Sequence, residues 1–549
     1  MNSHRLFTLS LIFSTALLAA CSGGGGGNND PIFPAPVDPE PGNPILADAD
    51  NDGVLDPDDN CVNDSNADQA DADVNGEGDA CDPMPTTYAF ENTDGVSTVS
   101  YTGQTARQLL IVDNVSALNA LERSADNVPA DVATDLDFYI CLDPDIRDAS
   151  YPPTFALPEG ELMIANSDMA GSALIVPADI SSGKDICSKI AGEDKTDHIL
   201  GGEFFGASAT TPLGLINEWV DAVSVESADT TDTIVVAGGT ANIGTPTVSQ
   251  EGLNYRQLLQ KFILGALTFS QGTADYMSID YGSDGNLTLA EGKSYTEGAH
   301  DFDEAFGYFG ASRDYNDRTD AEIKSPSYGD TVVIDSLIDV RSEFNFGNST
   351  NCAKRDIGSA DNPNPTNFTK EVFDAFLVGR QFLLNAAESA TESSPGSLSV
   401  EAEAALAAQI VIAAQTWEKC IAATVVHYIN DIEDDMDGFA GDEFADLDNF
   451  LNLAKHWGEM KGFTLGLQFS PHSPFRDGSV DGINVDSLKN VLALMGAAPV
   501  LADGKQNGVV FNNASSASAA KADYRTDLLK ARDILRDAYR FDSTNAATW

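Results

Sequence analysis

Residues 253–277 read LNYRQLLQKFILGALTFSQGTADYM. Apolar side chains recur in this stretch at intervals of three and four residues, which places them along one face of an α-helix. The same spacing is found in six further segments, namely 104–123, 298–310, 369–389, 399–431, 444–469 and 520–540. Short apolar runs such as 233–237 are too few for a sheet-based fold. The pattern therefore predicts a mainly α protein, built as a helical bundle.

The composition of the chain sets its broad class. The 549 residues include 86 Asp and Glu against 30 Lys and Arg, which gives a formal net charge of −56. The hydrophobic fraction of 42% is large enough for the core of one large domain or of two. A surface this acidic repels phosphate backbones, so we exclude nucleic acid as a partner. It favours cations, above all calcium, and the alternative is a strongly solvated surface suited to a saline habitat.

The first residues predict export and lipid attachment. Residues 1–20 contain Arg5 and then an apolar run that is too short to span a membrane, which is typical of a signal peptide. The run ends in Leu-Ala-Ala before Cys21 and so resembles a bacterial lipobox, which implies cleavage before Cys21 and a lipid on that cysteine. An ordinary secretory signal is the alternative. Ser22 resembles the residue found in lipoproteins sent to the outer membrane, so we expect the chain to face the periplasm or the cell surface. Residues 21–46, rich in Gly and Pro, predict a flexible spacer.

The other cysteines fit an oxidising compartment. With Cys21 assigned to lipid, six remain, an even number that is typical of disulfides in exported proteins. Six cysteines allow fifteen connectivities, and the sequence alone does not choose among them. We predict nearest-neighbour pairing, which gives Cys61–Cys81, Cys141–Cys187 and Cys352–Cys420.

An acidic segment follows the spacer. Residues 48–82 contain thirteen acids and neither Lys nor Arg, which by itself is typical of an unstructured tail. However, oxygen-bearing side chains occupy positions 1, 3, 5, 9 and 12 of two loops that start 23 residues apart, with Gly53 and Gly76 at position 6. The two sets are Asp48, Asp50, Asp52, Asp56 and Asp59, and Asp71, Asp73, Asn75, Asp79 and Asp82. Calcium takes six to eight oxygen ligands from a flexible loop, and glycine permits the sharp turn. The spacing therefore predicts calcium binding in both loops.

The two loops lack the flanking helices of a helix-loop-helix calcium site. With Asp59-Asn-Cys61 and Gly78-Asp-Ala-Cys-Asp82, the segment resembles the thrombospondin type 3 repeat. The resemblance implies a small module, residues 47–83, that has little regular secondary structure and is held together by calcium and a disulfide. It also implies a structural role, the stiffening of a stalk, ahead of regulated calcium sensing.

Residues 84–545 contain a weak internal repeat. One copy includes Gly298-Ala-His300-Asp-Phe-Asp303-Glu304, and the other includes Ala454-Lys-His456-Trp-Gly-Glu459. A carboxylate three or four residues after a histidine lies on the same face of a helix. Because a long apolar helix precedes each copy, we predict two related halves, about 84–320 and 321–545.

Facing helices that carry His and carboxylate side chains build iron and manganese sites in helical bundles. The candidate metal or ligand site of the head therefore consists of His300, Asp303, Glu304, His456 and Glu459. The alternative is that these pairs only hydrogen-bond within the protein and that the neighbouring Gly-aromatic pairs mark tight helix packing.

From about Tyr88 to 540 the chain resembles a bacterial surface-protein family known as domain of unknown function 4856. The segments that carry the resemblance are 255–267, 300–310 and 456–459. That family is in turn similar to the imelysins. The resemblance implies a two-lobed, imelysin-like helical head, preceded by the calcium-bound loop module, and a link with iron acquisition.

Three functions remain open from the sequence. The leading hypothesis is a non-enzymatic surface lipoprotein whose head binds a metal such as iron, a metal complex or a partner protein. The second is a metallopeptidase of imelysin type, although the sequence contains no HExxH motif. The third is a structural or adhesive scaffold in which only the calcium module has a ligand. Signature motifs for a nucleophilic serine or a phosphate-binding loop are missing, so we predict no catalytic residue.

Overall fold

The computed structural model describes residues 47–141, 184–193, 195–325 and 343–549, together with the backbone of three short strands at 163–165, 174–175 and 337–339. The predicted signal peptide (1–20), the lipidated Cys21 and the spacer (21–46) lie outside the described residues, and these assignments remain predictions.

The described residues are mainly helical, as predicted. Their helices are α1 (Thr102–Ala120), α2 (Pro129–Asp137), α3 (Pro212–Ala228), α4 (Tyr255–Ile263), α5 (Glu297–Phe309), α6 (Asp320–Ile323), α7 (Gly347–Ser359), α8 (Phe368–Ala387), α9 (Val400–Asp437), α10 (Leu447–Gly466), α11 (Val485–Met495), α12 (Ala517–Tyr539) and α13 (Ser543–Thr548). Side-chain oxygens cap the N-terminal ends of several of these helices. Thr211, Asn254, Thr296, Ser399 and Ser516 each accept a hydrogen bond from a backbone N–H in the first turn that follows.

The stretch 253–277 is only partly α-helical. After α4 the chain continues as two π-helical segments, Leu264–Phe269 and Gln271–Asp275. The end of α10 approaches here so closely that a Cβ on Gly265 would lie 2.5 Å from the Cα of Gly466. The wider π turn lies where two glycines let the backbones of these helices touch.

The long helix α9 lies at the centre of the head. It packs against α7, α8, α10 and α12, and α10 packs in turn against α4. Most of the buried hydrophobic residues from Tyr88 to Trp549 form one contiguous cluster, and Leu109 and Phe346 form a small second one. The predicted halves, 84–320 and 321–545, therefore share one core, and their division into two lobes remains a prediction. Helix α13 and Trp549 extend this core beyond the predicted boundary at 545.

The strands are short, and Ile234 and Val236 of the third strand pack against the helical core. β1 (Met163–Ala165) pairs antiparallel with β2 (Leu174–Ile175) and parallel with β5 (Leu337–Asp339). Two hairpins complete the set: β3 (Thr233–Val236) with β4 (Gly239–Asn242), and β6 (Lys505–Gln506) with β7 (Val509–Val510). None of the helices in the described residues combines the length and the apolar composition of a membrane span.

Two of the three predicted disulfides are present, Cys61–Cys81 and Cys352–Cys420. The third prediction was wrong, because Cys141 and Cys187 carry free thiols. The two thiols instead hydrogen-bond to each other, and this contact together with burial raises the pKa of Cys141. The backbone N–H groups of Ile186 and Cys187 both donate to the Ile140 carbonyl, at 3.0 and 3.1 Å. These hydrogen bonds join the two segments without a covalent link.

Candidate metal sites

The two predicted calcium loops share two hydrogen bonds at equivalent positions. Asp56 Oδ1 accepts from Ala49 N at 2.8 Å, and Asp79 Oδ1 accepts from Ala72 N at 2.9 Å. The backbone N–H of each of these aspartates donates to the carbonyl nine residues before it, at 2.9 and 2.8 Å. The 23-residue repeat in the sequence is therefore a repeat in structure, with the position-9 aspartate closing each loop.

Glycine is required at the turn of both loops. Gly53 has a φ of 101° and Gly76 a φ of 96°, in the region that side-chain-bearing residues rarely adopt. Gly78 is needed for a different reason, because a Cβ there would lie within 2.7 Å of side-chain atoms of Asn60, Asn66 and Cys61. The module thus packs around the Cys61–Cys81 disulfide instead of a hydrophobic core.

Three carboxylates converge in the first loop. Each of Asp48, Asp50 and Asp52 offers an oxygen within 4.8 Å of the other two, and no other set of His, Cys, Asp or Glu in the described residues does so. Asp48 Oδ1 and Asp50 Oδ2 are buried without a hydrogen-bond partner. The pKa of Asp50 is raised, mainly by burial and further by the negative charges of the neighbouring aspartates. Unpartnered carboxylate oxygens gathered in this way fit a hard divalent cation such as calcium.

The remaining first-loop residues mainly hold the loop in place. Asp59 Oδ1 accepts from Cys61 N at 2.8 Å and from Gln69 Nε2 at 2.9 Å. Asp52 Oδ2 accepts from Asn66 N at 2.7 Å, so one of the converging carboxylates is itself oriented by the module. Asp48 and Asp50 are therefore the first-loop carboxylates that have a buried oxygen without a hydrogen-bond partner.

The predicted ligands of the second loop are hydrogen-bonded to one another. The Asn75 amide donates to Asp73 Oδ2 at 3.1 Å and to Asp82 Oδ2 at 2.8 Å. Asp71 accepts from the backbone N–H groups of Asn75 and Gly76. Asp73 Oδ2 also accepts from Asn385 Nδ2 on α8 at 2.8 Å, so the second loop lies against the head.

In the first copy of the head motif, Asp303 is part of a buried ion pair. Arg380 Nε donates to Asp303 Oδ1 at 2.8 Å, and the Tyr88 hydroxyl donates to the same oxygen at 2.9 Å. The backbone N–H of Ser100 donates to Oδ2 at 3.0 Å. Both carboxylate oxygens therefore have protein donors, and the side chain joins α5 to α8 and to the segment before α1.

His300 and Glu304 lie on the same face of α5, as predicted. His300 Nε2 lies 3.6 Å from Glu304 Oε1, and its Nδ1 lies 3.0 Å from the Ser100 carbonyl. Because that carbonyl can only accept, Nδ1 carries the proton. The ring stacks on Tyr295 with 4.9 Å between centroids. The pair is thus held by contacts within the protein, with Nε2 directed at a single carboxylate, and its role as a ligand stays a prediction.

The second copy lies in a cluster that the sequence pattern did not reveal. His456 Nδ1 lies 2.7 Å from Asp435 Oδ2, and its Nε2 lies 3.6 Å from Asp431 Oδ2. His427 Nε2 lies 3.3 Å from the same Asp431 oxygen. Two imidazoles therefore point at one carboxylate. His427, Asp431 and Asp435 are spaced by four residues along one face of α9, which is the sequence signal that could have identified them.

The two histidines of this cluster differ in their proton affinity. Burial lowers the pKa of His427 to about 3. Burial also acts to lower the pKa of His456, but the hydrogen bond and charge of Asp435, followed by the charge of Asp431, raise it overall. His427 is thus the less basic of the two imidazoles, and the hydrogen bond with Asp435 orients His456.

Glu459 does not face His456. Its Oε1 lies 3.6 Å from Lys261 Nζ on α4, and its Oε2 lies 4.0 Å from Lys455 Nζ. Nor does the structure bring the two copies together, because within the described residues His300 and His456 share no hydrogen-bond, ion-pair or ring partner. The five predicted residues thus fall into separate clusters.

The glycines of the repeat are packing contacts. A Cβ on Gly307 would lie 2.8 Å from the Cβ of Tyr101, and one on Gly462 would lie 2.8 Å from the Cβ of Lys261. These positions bring α5 onto α1 and α10 onto α4. The Gly-aromatic pattern therefore reflects helix packing.

Residues 202–389 match the model of a family described as "Domain of unknown function (DUF4856)". The match covers α3 to α8 and includes His300, Asp303 and Glu304 but neither the calcium loops nor the cluster around His456. It confirms the predicted family resemblance for this part of the chain. No curated protein and no solved structure matches the chain.

Proposed function

We propose that this protein is a calcium-binding surface lipoprotein whose helical head binds a metal, a metal complex or a partner protein. The observation that carries the proposal is the convergence of Asp48, Asp50 and Asp52, with buried oxygens that lack partners. Calcium would supply the positive charge that balances these carboxylates, and Asp56 and Asp59 would hold the loop around it. The lipobox-like Cys21 supports an outer-membrane lipoprotein that faces the periplasm or the cell surface and contacts the membrane through its lipid.

The calcium proposal predicts a loss of binding in Asp50→Asn. We expect this variant of the full chain to bind one calcium ion fewer than the wild type in equilibrium dialysis, because the amide removes a charge and brings donors into the cluster. Asp64→Asn is the matched control, since Asp64 is an exposed acid of the same module outside the ligand positions. Equal calcium content in the wild type and Asp50→Asn would contradict the assignment.

The cluster on α9 and α10 favours a second candidate, a transition-metal site in the head. His427, Asp431 and His456 offer two imidazole nitrogens and one carboxylate oxygen, the set that non-haem iron enzymes and carriers use. The three atoms do not all lie within 4.8 Å of one another, so binding requires the rings to approach. Asp435, hydrogen-bonded to His456 Nδ1, has the position of a carboxylate that orients a metal-binding histidine.

For this site we predict that the full chain, exposed to iron(II), zinc(II) or manganese(II) and then desalted, retains a transition metal. His427→Ala and His456→Ala should each reduce the retained metal by about tenfold or more, measured by mass spectrometry, because each removes a ligand. His300→Ala is the control, since it alters the sister motif but leaves this cluster intact. If His300→Ala lost the metal and His427→Ala kept it, the cluster would not be the site.

Among the described residues, no observation specifically favours the metallopeptidase over a head that only binds a metal. The imelysin resemblance supports the other two ligands proposed for the head, a partner protein and a metal complex. A scaffold role would leave calcium binding intact and predict no change in retained metal for any of the histidine variants.

A further inference from the structure

A cavity of about 690 Å³ lies between α3, α4, α10 and α11. Most of its wall is apolar and includes Leu215, Trp219, Leu258, Trp457 and Leu492. Neither the calcium loops nor the His427–His456 cluster contributes to this wall. The volume and lining are typical of a pocket for a small organic molecule.

The charge of the cavity is opposite to that of the protein. Asp and Glu outnumber Lys and Arg by almost three to one in the chain, yet none of the described residues that line the cavity is acidic. Two lysines line it, Lys461 within the wall and Lys489 at the rim. The cavity is thus a cationic site within an anionic protein, and it would attract anions that the rest of the surface repels.

Lys461 has an unused donor. Its Nζ donates to the carbonyls of Leu492 at 3.1 Å and Gly496 at 2.9 Å, and an ammonium group has three N–H donors. Among the described residues no carboxylate pairs with it, although the side chain is almost fully buried. Burial lowers the pKa of Lys461 to about 7. A buried ammonium without a counter-ion is unfavourable, and an anionic group in the cavity would relieve that cost.

Lys489 differs in that it already has a partner. Its Nζ lies 2.6 Å from Glu203 Oε2 and 5.1 Å from the ring centroid of Phe205. Glu203 thus balances the charge of Lys489, and Lys461 is the lysine of the cavity that is available to hold an anion.

We propose that this cavity binds a small amphipathic anion, with an apolar body against the tryptophans and leucines and a carboxylate or sulfonate on Lys461. The site goes beyond the proposed function, because it takes an organic ligand and shares no lining residue with either metal site. Its ligand class is that of fatty and aromatic acids.

The test uses isothermal titration calorimetry on the full chain with three probes: dodecanoate, the neutral dodecanol and the bulkier anion anilinonaphthalenesulfonate. We expect one molecule of an anionic probe to bind per chain, and dodecanoate to bind at least about tenfold more tightly than dodecanol, because a charge-assisted hydrogen bond distinguishes them. Lys461→Met should abolish this preference while keeping an apolar side chain of similar length. Ala493→Trp, at an exposed position of the wall, should block all probes.

Lys530→Met is the control, since Lys530 is an exposed lysine of α12 away from the cavity. It should bind every probe as the wild type does. The proposal would be overturned if neither anion bound, if dodecanol bound as tightly as dodecanoate, or if Ala493→Trp bound like the wild type. Because none of these variants touches a metal ligand, failure here leaves the calcium and head-metal tests unaffected.

Discussion

Replacing Arg380 with alanine is expected to lower the free energy of unfolding by about 3–5 kcal/mol, because it leaves Asp303 charged and buried without its counter-ion. Both side chains are excluded from solvent, with exposed fractions of 1% for Arg380 and 0% for Asp303. Burial raises the pKa of Asp303, and the charge and hydrogen bond of Arg380 oppose that rise. Removing the guanidinium therefore forces the carboxyl group either to remain charged in an apolar environment or to take up a proton, and both outcomes are unfavourable.

The loss extends beyond the ion pair. Arg380 Nη2 also donates to the carbonyl of Thr98 at 3.0 Å and to its hydroxyl at 2.9 Å, and the guanidinium carbon lies 5.1 Å from the ring centroid of Phe90. These contacts hold the segment before α1 against α8. We therefore expect this segment to become exposed in Arg380→Ala, which hydrogen exchange of its backbone amides would detect.

The matched control is Lys370→Ala on the same helix. Lys370 pairs with Asp374 four residues later, but the two side chains are 60% and 40% exposed, so the expected change is below about 1 kcal/mol. Urea denaturation of the three proteins measures the difference. The double variant Arg380→Met with Asp303→Leu should recover most of the loss, because apolar groups need no counter-ion. If Arg380→Ala changed stability no more than Lys370→Ala does, the ion pair would not stabilise the fold.

The helices that were predicted have apolar buried faces, but α3 and α11 also have apolar buried faces and were not predicted. The predicted segments 298–310 and 369–389 differ from α5 and α8 by at most two residues at either end. Helix α7 was not predicted, because its first buried turn consists of Asn348, Ser349, Thr350 and Asn351. Polar side chains buried on a helix leave no hydrophobic period in the sequence.

The repeated geometry of the two acidic loops could be predicted in more detail than the head sites because it is local, and calcium binding there stays a prediction. The spacing and the turn at Gly53 or Gly76 predict the shape of each loop, whereas only Asp48, Asp50 and Asp52 of the predicted ligands converge in the structure. The partner of Asp303, in contrast, is 77 residues away on α8. The same limit applies to His456, whose carboxylates come from α9 and not from Glu459 on its own helix.

The sequence also could not distinguish a bonded cysteine pair from an unbonded one. Cys141 and Cys187 are consecutive cysteines in the sequence and their thiols interact, yet among the described cysteines only Cys61–Cys81 and Cys352–Cys420 are bonded. Pairing each cysteine with the next one in the sequence identifies the thiols that lie close together. Whether a bond forms also depends on the relative geometry of the two sulfur atoms. This difference supplies an internal control for the effect of a disulfide on stability.

Replacing both Cys352 and Cys420 with alanine is expected to lower the free energy of unfolding by about 4 kcal/mol. The bond joins α7 to the middle of α9 and closes a loop with a sequence separation of 68, so its loss increases the conformational entropy of the unfolded chain. The matched variant Cys141→Ala with Cys187→Ala also removes two thiols but breaks no bond, and we expect a change of about 1 kcal/mol or less. Urea denaturation with and without reductant separates the effects, because the first variant should be insensitive to reduction at this bond. Equal losses in the two double variants would mean that side-chain packing, and not the cross-link, stabilises the junction of α7 and α9.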